Sequence, residues 1–185
     1  MARRRSIRIA RSSDLSYVLK LQRHWSNNVG FLPKSCFERY IENRQILLIN
    51  ENEASAGYLS WTFRHDGIIR IPQLAIDPEL LRRSLGSRIM HRLASAAVAG
   101  DCSIIRLRCR SNLTANSVWP TLGFTVTATV ARPTARGFPV LEWTKQLIPA
   151  SDIAELLSSG RTPQRMFKNR TKPHIIHADL EHEEL

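Results

Sequence analysis

The sequence contains no apolar run close to the roughly 20 residues that a bilayer-spanning helix needs, so we expect no membrane insertion. Its amino terminus is basic, but Arg8 and Arg11 interrupt the apolar stretch that a secretion signal requires, which favours a cytoplasmic protein. Only three cysteines are present, an odd number without a Cys-x-x-Cys pair, and this argues against a disulfide framework. We therefore expect Cys36, Cys102 and Cys109 to be small buried apolar residues.

Acidic residues are also scarce, since 16 Asp and Glu accompany 27 Lys and Arg and leave a formal net charge of +11. Such a charge attracts polyanions of several kinds, among them nucleic acid, acidic proteins and phosphate-rich cofactors. The basic residues are not interleaved with aromatic ones as in RNA-binding surfaces, so only weak nucleic-acid binding is expected from the basic surface. His174 and His177 have no clear carboxylate or thiolate partner, and we expect no metal site.

The pattern that is present is that of a packed α/β domain. Apolar residues make up 43% of the chain, enough for a globular core. Local periodicities predict a strand, two helices, a meander of three strands, a helix, a strand, a short helix and two strands. The predicted strands span 6–10, 45–50, 56–64, 68–76, 104–109, 125–131 and 140–146, the predicted helices span 13–25, 33–41, 85–100 and 114–122, and turns are predicted at 27–30 and 65–67. This order predicts an α/β fold in which a mixed, mostly antiparallel sheet is flanked by helices.

The single domain is expected to cover residues 1–148. Residues 149–185 are expected to form a polar C-terminal extension, with a short helix over 150–157 followed by a mobile tail. Four aromatic residues in the first quarter of the chain are expected to fill the core rather than line a pocket. They are Trp25, Phe31, Phe37 and Tyr40.

The stretch from Leu74 to Arg88 reads as a strand, a turn and the start of a helix, which together can form an anion site. The first turn of a helix has free N–H groups and the positive end of the helix dipole, so backbone donors there can hold a diphosphate. Gly86 permits a close approach of backbone to ligand, and Arg82 and Arg83 add positive charge. The alternative is an ordinary surface helix with basic residues at its start.

Two motifs resemble those of the GNAT N-acetyltransferase superfamily. The run Leu74–Arg88 is similar to the family signature, in which a strand and a Pro precede an Arg/Gln-x-x-Gly-x-Gly/Ala loop. The second motif, Asn112-x-x-Ala115-x-x-x-Trp119-x-x-x-Gly123-Phe124, is similar to the family's Asn-x-x-Ala-x-x-x-Tyr-x-x-x-Gly-Phe. With the order of elements, the resemblance covers residues 6–147 and is more specific than either motif alone.

The resemblance implies acetyl-CoA as cosubstrate, with its pantetheine arm paired to one strand as though it were an added strand. It implies that the loop from Arg82 to Ser87 holds the diphosphate and that the acyl thioester lies between two central strands that splay apart. The cofactor-binding residues implied in this way are Leu74, Ala75, Ile76, Arg82, Arg83, Ser84, Leu85, Gly86, Ser87, Asn112 and Trp119. Local structural roles remain open beside these, with Asn112 near a helix N-cap, Ala115 at a close-packed position and Gly123 as a helix stop.

Three residues depart from the family pattern. Leu81 stands where the family usually has Arg or Gln. Ser84 replaces the first Gly of the loop, which is tolerable if its φ is negative and its hydroxyl points away from the phosphate. Trp119 stands where a Tyr usually protonates the leaving thiolate, and an indole N–H cannot act as an acid near neutral pH. Because a thiol of pKa ~8.5 leaves tolerably well without an acid, we expect slower turnover rather than none.

The leading functional hypothesis is transfer of an acetyl group from acetyl-CoA to a primary amine on a small molecule or a protein. No catalytic residue is identified, since Gln73 does not titrate and His65 and Glu142 are interpreted as solvated surface residues. An acceptor of low amine pKa, or a water relay, would remove the need for a base. The alternative is a catalytically weak acyl-CoA-binding scaffold that engages nucleic acid or an acidic protein, and homodimer formation through the last strands stays open.

Overall fold

The structure is a computed structural model that describes residues 3–63, 67–100, 102–130 and 137–147. Seven strands form one sheet in the order β1-β2-β3-β4-β5-β7-β6. They are β1 (Arg5–Ile9), β2 (Ile46–Glu51), β3 (Ala54–Phe63), β4 (Ile68–Ile76), β5 (Ile104–Arg110), β6 (Thr125–Val130) and β7 (Val140–Gln146). The helices are α1 (Leu15–His24), α2 (Ser26–Val29), α3 (Lys34–Glu42) and α4 (Leu85–Ala99).

This architecture confirms the expected α/β domain with a mixed sheet. Within the described residues only β4 and β5 pair in parallel, and every other neighbouring pair is antiparallel. No helix in the described part of the chain is long and apolar enough to cross a membrane. The predicted extension over 149–185 lies outside the described residues.

Each face of the sheet has its own apolar core. The apolar positions of α4, which recur every three or four residues, pack on one face with Ile69, Ile105 and Leu107. On the other face, α1 and α3 cover β2 and β3 through residues such as Val18 and Phe37. Because both faces are covered there, β2 is buried along its whole length.

Three local predictions differ from the structure. The turn predicted at 27–30 is the short helix α2 and ends at Gly30, whose φ is 77°. The helix predicted at 114–122 is two separate 3₁₀ turns, because Pro120 has no N–H with which to continue one helix. Phe37 is fully buried as expected, but Phe31 is 76% exposed, so the core assignment of that residue was wrong.

The central strands β4 and β5 separate partway along their length. Their parallel pairing runs from Ile68 opposite Ile104 to Ile71 opposite Leu107, although both strands continue beyond it. A bulge lies at the same level, where two residues of β4, Ile71 and Pro72, oppose a single residue of β3. The bulge bends β4 away from β5, and the structure thus contains the splay that was expected between these strands.

A buried side-chain amide fixes the chain beside this splay. Gln73 accepts a hydrogen bond from the Tyr58 hydroxyl (2.7 Å) and donates to Gln22 (2.9 Å) and to the carbonyl of Gly30 (3.0 Å). Gln22 in turn accepts from the backbone N–H of Leu32 (2.8 Å). The network therefore holds the loop after α2 against β4.

Replacing Gln73 with methionine keeps the side chain's size but removes its amide. The phenol of Tyr58 would lose its acceptor in a buried position and the carbonyl of Gly30 would lose a donor, so we expect the free energy of unfolding to fall by roughly 1–3 kcal/mol. Chemical denaturation measures this change. The matched variant Gln146→Met, at an exposed site, should change it by less than ~0.5 kcal/mol, and equal effects of the two would contradict this role for Gln73.

Candidate functional site

The loop between β4 and α4 presents free backbone donors at its carboxyl end. A short 3₁₀ turn over Pro78–Leu80 follows β4, and α4 begins at Leu85. The first N–H bonded within α4 is that of Arg88, which donates to the carbonyl of Ser84 (3.0 Å). The N–H groups of the three preceding residues, 85–87, therefore have no acceptor within the helix, and they lie at the positive end of a 15-residue dipole.

Strained backbone shapes this loop. Ser84 has a φ of 59° and Arg82 a φ of 61°, both in the left-handed region. The negative φ that would make Ser84 an easy replacement for glycine is therefore not present, and Ser84 enters α4 in the left-handed conformation. A left-handed residue followed by the right-handed Leu85 turns successive N–H groups to the same side, which is an arrangement that binds anions. Strain of about 1–2 kcal/mol per residue is retained here, as at many ligand-binding loops.

A carboxylate at the end of β2 anchors the loop before α4. Glu51, at the end of β2, accepts from Arg83 (Nη1 to Oε2, 2.7 Å) and from Arg5 (Nε to Oε1, 3.1 Å). Burial raises the pKa of the Glu51 carboxyl, but the two guanidinium hydrogen bonds outweigh it and hold that pKa below its ordinary value. The Arg83 side chain is thus an anchor of the loop, whereas Arg82 is exposed to solvent.

Gly86 lies in the first turn of α4, directly over β4. A Cβ placed on it would meet Ile76 Cγ1 at 3.8 Å and Leu74 Cδ2 at 4.0 Å, both ordinary contact distances. The protein's own packing therefore does not require glycine, which costs about 1 kcal/mol relative to alanine inside a helix. At phosphate-binding helix starts, a glycine in this position lets the ligand approach the backbone closely.

The same end of β4 offers an open strand edge. The N–H of Asp77 donates to the carbonyl of Ala56 in β3 (2.9 Å). Since alternate residues of a strand direct their backbone N–H and C=O groups to opposite sides, those of Leu74 and Ile76 point away from β3 and towards the splay. The carbonyl of Ile76 accepts from the indole of Trp25 (2.8 Å). Such an edge can pair with an extended ligand as if with another strand. The structure thus brings residues 74–76 and 84–87 together.

The turn after β5 carries Asn112 and a residue that sequence reasoning missed. Asn112 is exposed. Asn116 donates to the carbonyls of Arg110 (2.7 Å) and Leu113 (2.9 Å) and accepts from the indole of Trp143 (3.0 Å). Asn116 therefore holds the turn that presents Asn112. The sequence did offer a signal for this role of Asn116. An Asn side chain competes for backbone hydrogen bonds, so its presence within a predicted short helix indicates a turn that the side chain stabilises.

Trp119 belongs to the core beneath α4. It is 8% exposed, and its ring meets Phe124 edge to face with 6.0 Å between centroids. Its indole nitrogen is fully buried and has no hydrogen-bond partner of normal geometry. The Cys109 thiol lies close to the indole. Burial raises the pKa of that thiol more than Trp119 and Arg110 lower it, so the thiol stays protonated. Trp119 thus lies beside the Cys109 thiol within the core.

Of the two residues considered as a base, Glu142 is paired with Arg108 (3.0 Å) and only partly exposed, so its expected place as a solvated surface residue was wrong. His65 lies outside the described residues. Within the described ranges, no three His, Cys, Asp or Glu side chains are grouped to bind a metal ion. The histidines considered for metal binding, 174 and 177, also lie outside those ranges. The buried thiols of Cys102 and Cys109 agree with their expected apolar role.

Comparison with protein families identifies the class of this domain. The model of the acetyltransferase (GNAT) domain matches residues 21–147, and the chain belongs to this family. The match contains both the loop before α4 and the turn after β5. No curated protein sequence matches the chain.

Solved structures share the fold at low sequence identity. Ard1 from Thermoplasma volcanium superposes with a TM-score of 0.71 at 15% identity, covering 78% of this chain and 99% of that one. The ribosomal-protein-S18-alanine N-acetyltransferase from Escherichia coli gives 0.66 at 17% identity, with 78% and 95% covered. The acetyltransferase YncA from Salmonella typhimurium, solved with acetyl-CoA, gives 0.66 at 21% identity, also with 78% and 95% covered.

The strain at Ser84 makes a matched pair of substitutions informative. Ser84→Gly should raise the free energy of unfolding by about 0.5–1 kcal/mol, because glycine accepts a positive φ without steric cost. Ser87→Gly, inside the first turn of α4, should lower it by a similar amount. Thermal and chemical denaturation compare the two. A loss of stability in both variants would show that Ser84 makes contacts that outweigh its strain.

Proposed function

We propose that this protein transfers the acetyl group of acetyl-CoA to a primary amine. The observation that carries the proposal is Gly86, where packing leaves room for a side chain and the sequence supplies none. Membership of an acetyltransferase family, and the acetyl-CoA held by the Salmonella relative, support acetyl-CoA as the ligand that comes close to this residue.

Four parts of the described site would fit three parts of that cosubstrate. The free N–H groups of residues 85–87, with the guanidinium of Arg82, would hold the diphosphate. The open edge at Leu74 and Ile76 would bond to the amides of the pantetheine arm. Asn112 would contact that arm from the turn after β5. Trp119 would offer its indole N–H near the sulfur end.

The proposed reaction forms one N–C bond and breaks one C–S bond. The amine nitrogen attacks the acetyl carbonyl carbon, the electron pair of the C–S bond leaves on sulfur, and the proton lost from nitrogen passes to water. Trp119 can donate a hydrogen bond but not a proton, so the thiolate is protonated by water after it leaves. A thiol of pKa ~8.5 makes this departure tolerable.

The amine must be neutral to attack, and no residue is identified as the base that would remove its proton. At pH 7 an amine of pKa ~10.4 is neutral about once in 2,500, and an α-amino group of pKa ~7.7 about one time in six. We therefore propose that the acceptor loses its proton to solvent, which favours amines whose pKa is low in solution or is lowered in the site.

One observation favours a second candidate function, that of a weakly catalytic acyl-CoA-binding scaffold. The aromatic residue at position 119 is buried and cannot act as an acid, so the site could bind the cosubstrate without turning it over at a useful rate. Calorimetry with acetyl-CoA followed by a thiol-release assay separates the two. Binding without release supports the scaffold, and binding with amine-dependent release supports the transferase.

Substituting Gly86 with alanine tests the proposed cosubstrate site. The methyl group fits the protein and favours the helix, so the thermal midpoint should rise or stay unchanged. In the proposed binding mode the same methyl group would crowd the diphosphate, and we expect the affinity for coenzyme A to fall about tenfold or more, or ~1.4 kcal/mol. Calorimetry at low ionic strength measures it.

Gly57→Ala provides the contrast for this experiment. A Cβ there would lie 2.6 Å from Ile76 Cδ1 and 2.7 Å from the carbonyl oxygen of Ala75, so this variant should lose stability. If Gly86→Ala bound coenzyme A as tightly as the unmodified protein, the diphosphate would lie elsewhere. If the unmodified protein had no affinity for coenzyme A, both proposed functions would fail.

The variants Trp119→Tyr and Trp119→Phe test whether position 119 faces the leaving sulfur. Both remove similar volume from the core, but only tyrosine brings a hydroxyl that can give up a proton. We expect kcat of the tyrosine variant to exceed that of the phenylalanine variant by about 10²-fold, the lower end of what a general acid contributes. The thiol-release assay measures both values, and equal kcat values would place the side chain away from the sulfur.

A further inference from the structure

Two arginines lie side by side at the centre of the sheet. Arg70 of β4 is directly opposite Arg106 of β5 in the parallel register. Their neighbours Ile69 and Ile105 are fully buried in the core beneath α4. Because side chains alternate along a strand, both arginines project from the opposite face of the sheet, the face on which α1 and α3 pack farther along.

The same face of β5 continues this row of positive charge. Arg108 and Arg110 follow at the next alternate positions. Arg108 is paired with the carboxylate of Glu142, and Arg110 donates to the backbone carbonyl of Asn27 in α2. Within the described residues, the first two guanidinium groups of the row, those of Arg70 and Arg106, have no carboxylate partner.

The arrangement of this pair is costly for the protein alone. Like charges directly opposite each other destabilise a sheet. The Nε atoms of both Arg70 and Arg106 are also buried without a hydrogen-bond partner. A buried donor without a partner costs about 1–3 kcal/mol, and such groups in native proteins call for an explanation. A bound oxyanion would satisfy both the donors and the charge.

The pair also lies beside the reacting centre proposed above. It immediately precedes Ile71 and Leu107, the last residues that pair before β4 and β5 separate. The diphosphate site at the start of α4 belongs to the opposite face. An acceptor that reached the thioester from the α1 side would therefore meet Arg70 and Arg106 first.

We propose that Arg70 and Arg106 bind the carboxylate of the acceptor, which is accordingly a primary amine that carries a carboxylate group, such as an amino acid. This proposal rests on the acetyl transfer proposed above. Guanidinium groups match carboxylates through paired, charge-assisted hydrogen bonds. Two guanidinium groups against one carboxylate leave net positive charge, which disfavours an ammonium nearby and so lowers the amine pKa in the site. The same charge repels polyamines.

The kinetic test compares an amino acid with its own carboxamide and with a polyamine, using the full chain and the thiol-release assay. The carboxamide has the lower amine pKa in solution, so a preference for the amino acid requires recognition of its carboxylate. We expect that preference in the unmodified protein. Arg106→Gln and Arg70→Gln should each raise KM for the amino acid about tenfold or more and reduce the preference over the carboxamide, with little change in KM for acetyl-CoA.

Two further variants serve as controls. Arg39→Gln removes an equal charge from an exposed position on α3 and should leave the preference unchanged. Arg106→Lys keeps the charge and should restore part of the affinity. The thermal midpoint of Arg106→Gln without ligand should be equal to or above that of the unmodified protein, since a repulsion is removed. A clear fall in that midpoint would indicate a structural role and overturn the proposal.

A direct binding measurement separates this proposal from the proposed function. Succinate, which has no amine, should bind the unmodified protein in calorimetry and bind Arg106→Gln much more weakly. If coenzyme A failed to bind while succinate bound in this manner, the acetyl transfer would be wrong and the carboxylate site would stand. If acetyl transfer occurred but the carboxamide or the polyamine were preferred, or if Arg106→Gln matched Arg39→Gln, the carboxylate site would be wrong.

Discussion

The interruption of hydrogen bonding between β4 and β5 is the constraint on which the rest of the structure depends. Two parallel strands at the centre of a sheet would ordinarily pair along their whole length, because unpaired buried backbone is costly. Here pairing stops at Ile71 and Leu107, where Pro72 and the bulge turn β4 aside. The open edges beyond that level need a partner, and α4 begins beside them. A gap in the sheet and a cluster of free N–H groups thus occur at one place.

Buried polar contacts fix the two loops beside this gap, the loop before α4 and the loop after α2. Glu51 fixes Arg83 and with it the strained loop, so the left-handed residues on either side of Arg83 are held by an ion pair to β2. Gln73 performs the equivalent function on the other face by holding the loop after α2. Both anchors are side chains whose removal would leave charged or polar partners buried. The site is therefore preorganised by groups that need not touch the reacting atoms.

The sequence predicts those features that depend on local pattern. The four-residue apolar repeat of α4 and the alternation of the strands were sufficient for the α/β fold, and the two motifs indicated which helix start and which turn belong to the site. Features that depend on register or on the path of a loop were not predictable. The hand of Ser84 depends on how the chain enters α4, and the exposure of Phe31 follows from a loop held by distant glutamines. The pairing of Arg70 with Arg106 follows from a strand register over 35 intervening positions, which no local pattern specifies.

The excess of basic residues can be explained if the arginines on the two faces of the sheet are considered separately. At the start of α4, Arg82 and the helix dipole would attract a diphosphate, whereas Arg70 and Arg106 occupy the opposite face. Two anions bound close together on one face would repel each other, and separation across the sheet reduces this repulsion because it increases the distance between them. It would also bring the acyl group and the amine together from opposite sides at the point where β4 and β5 separate.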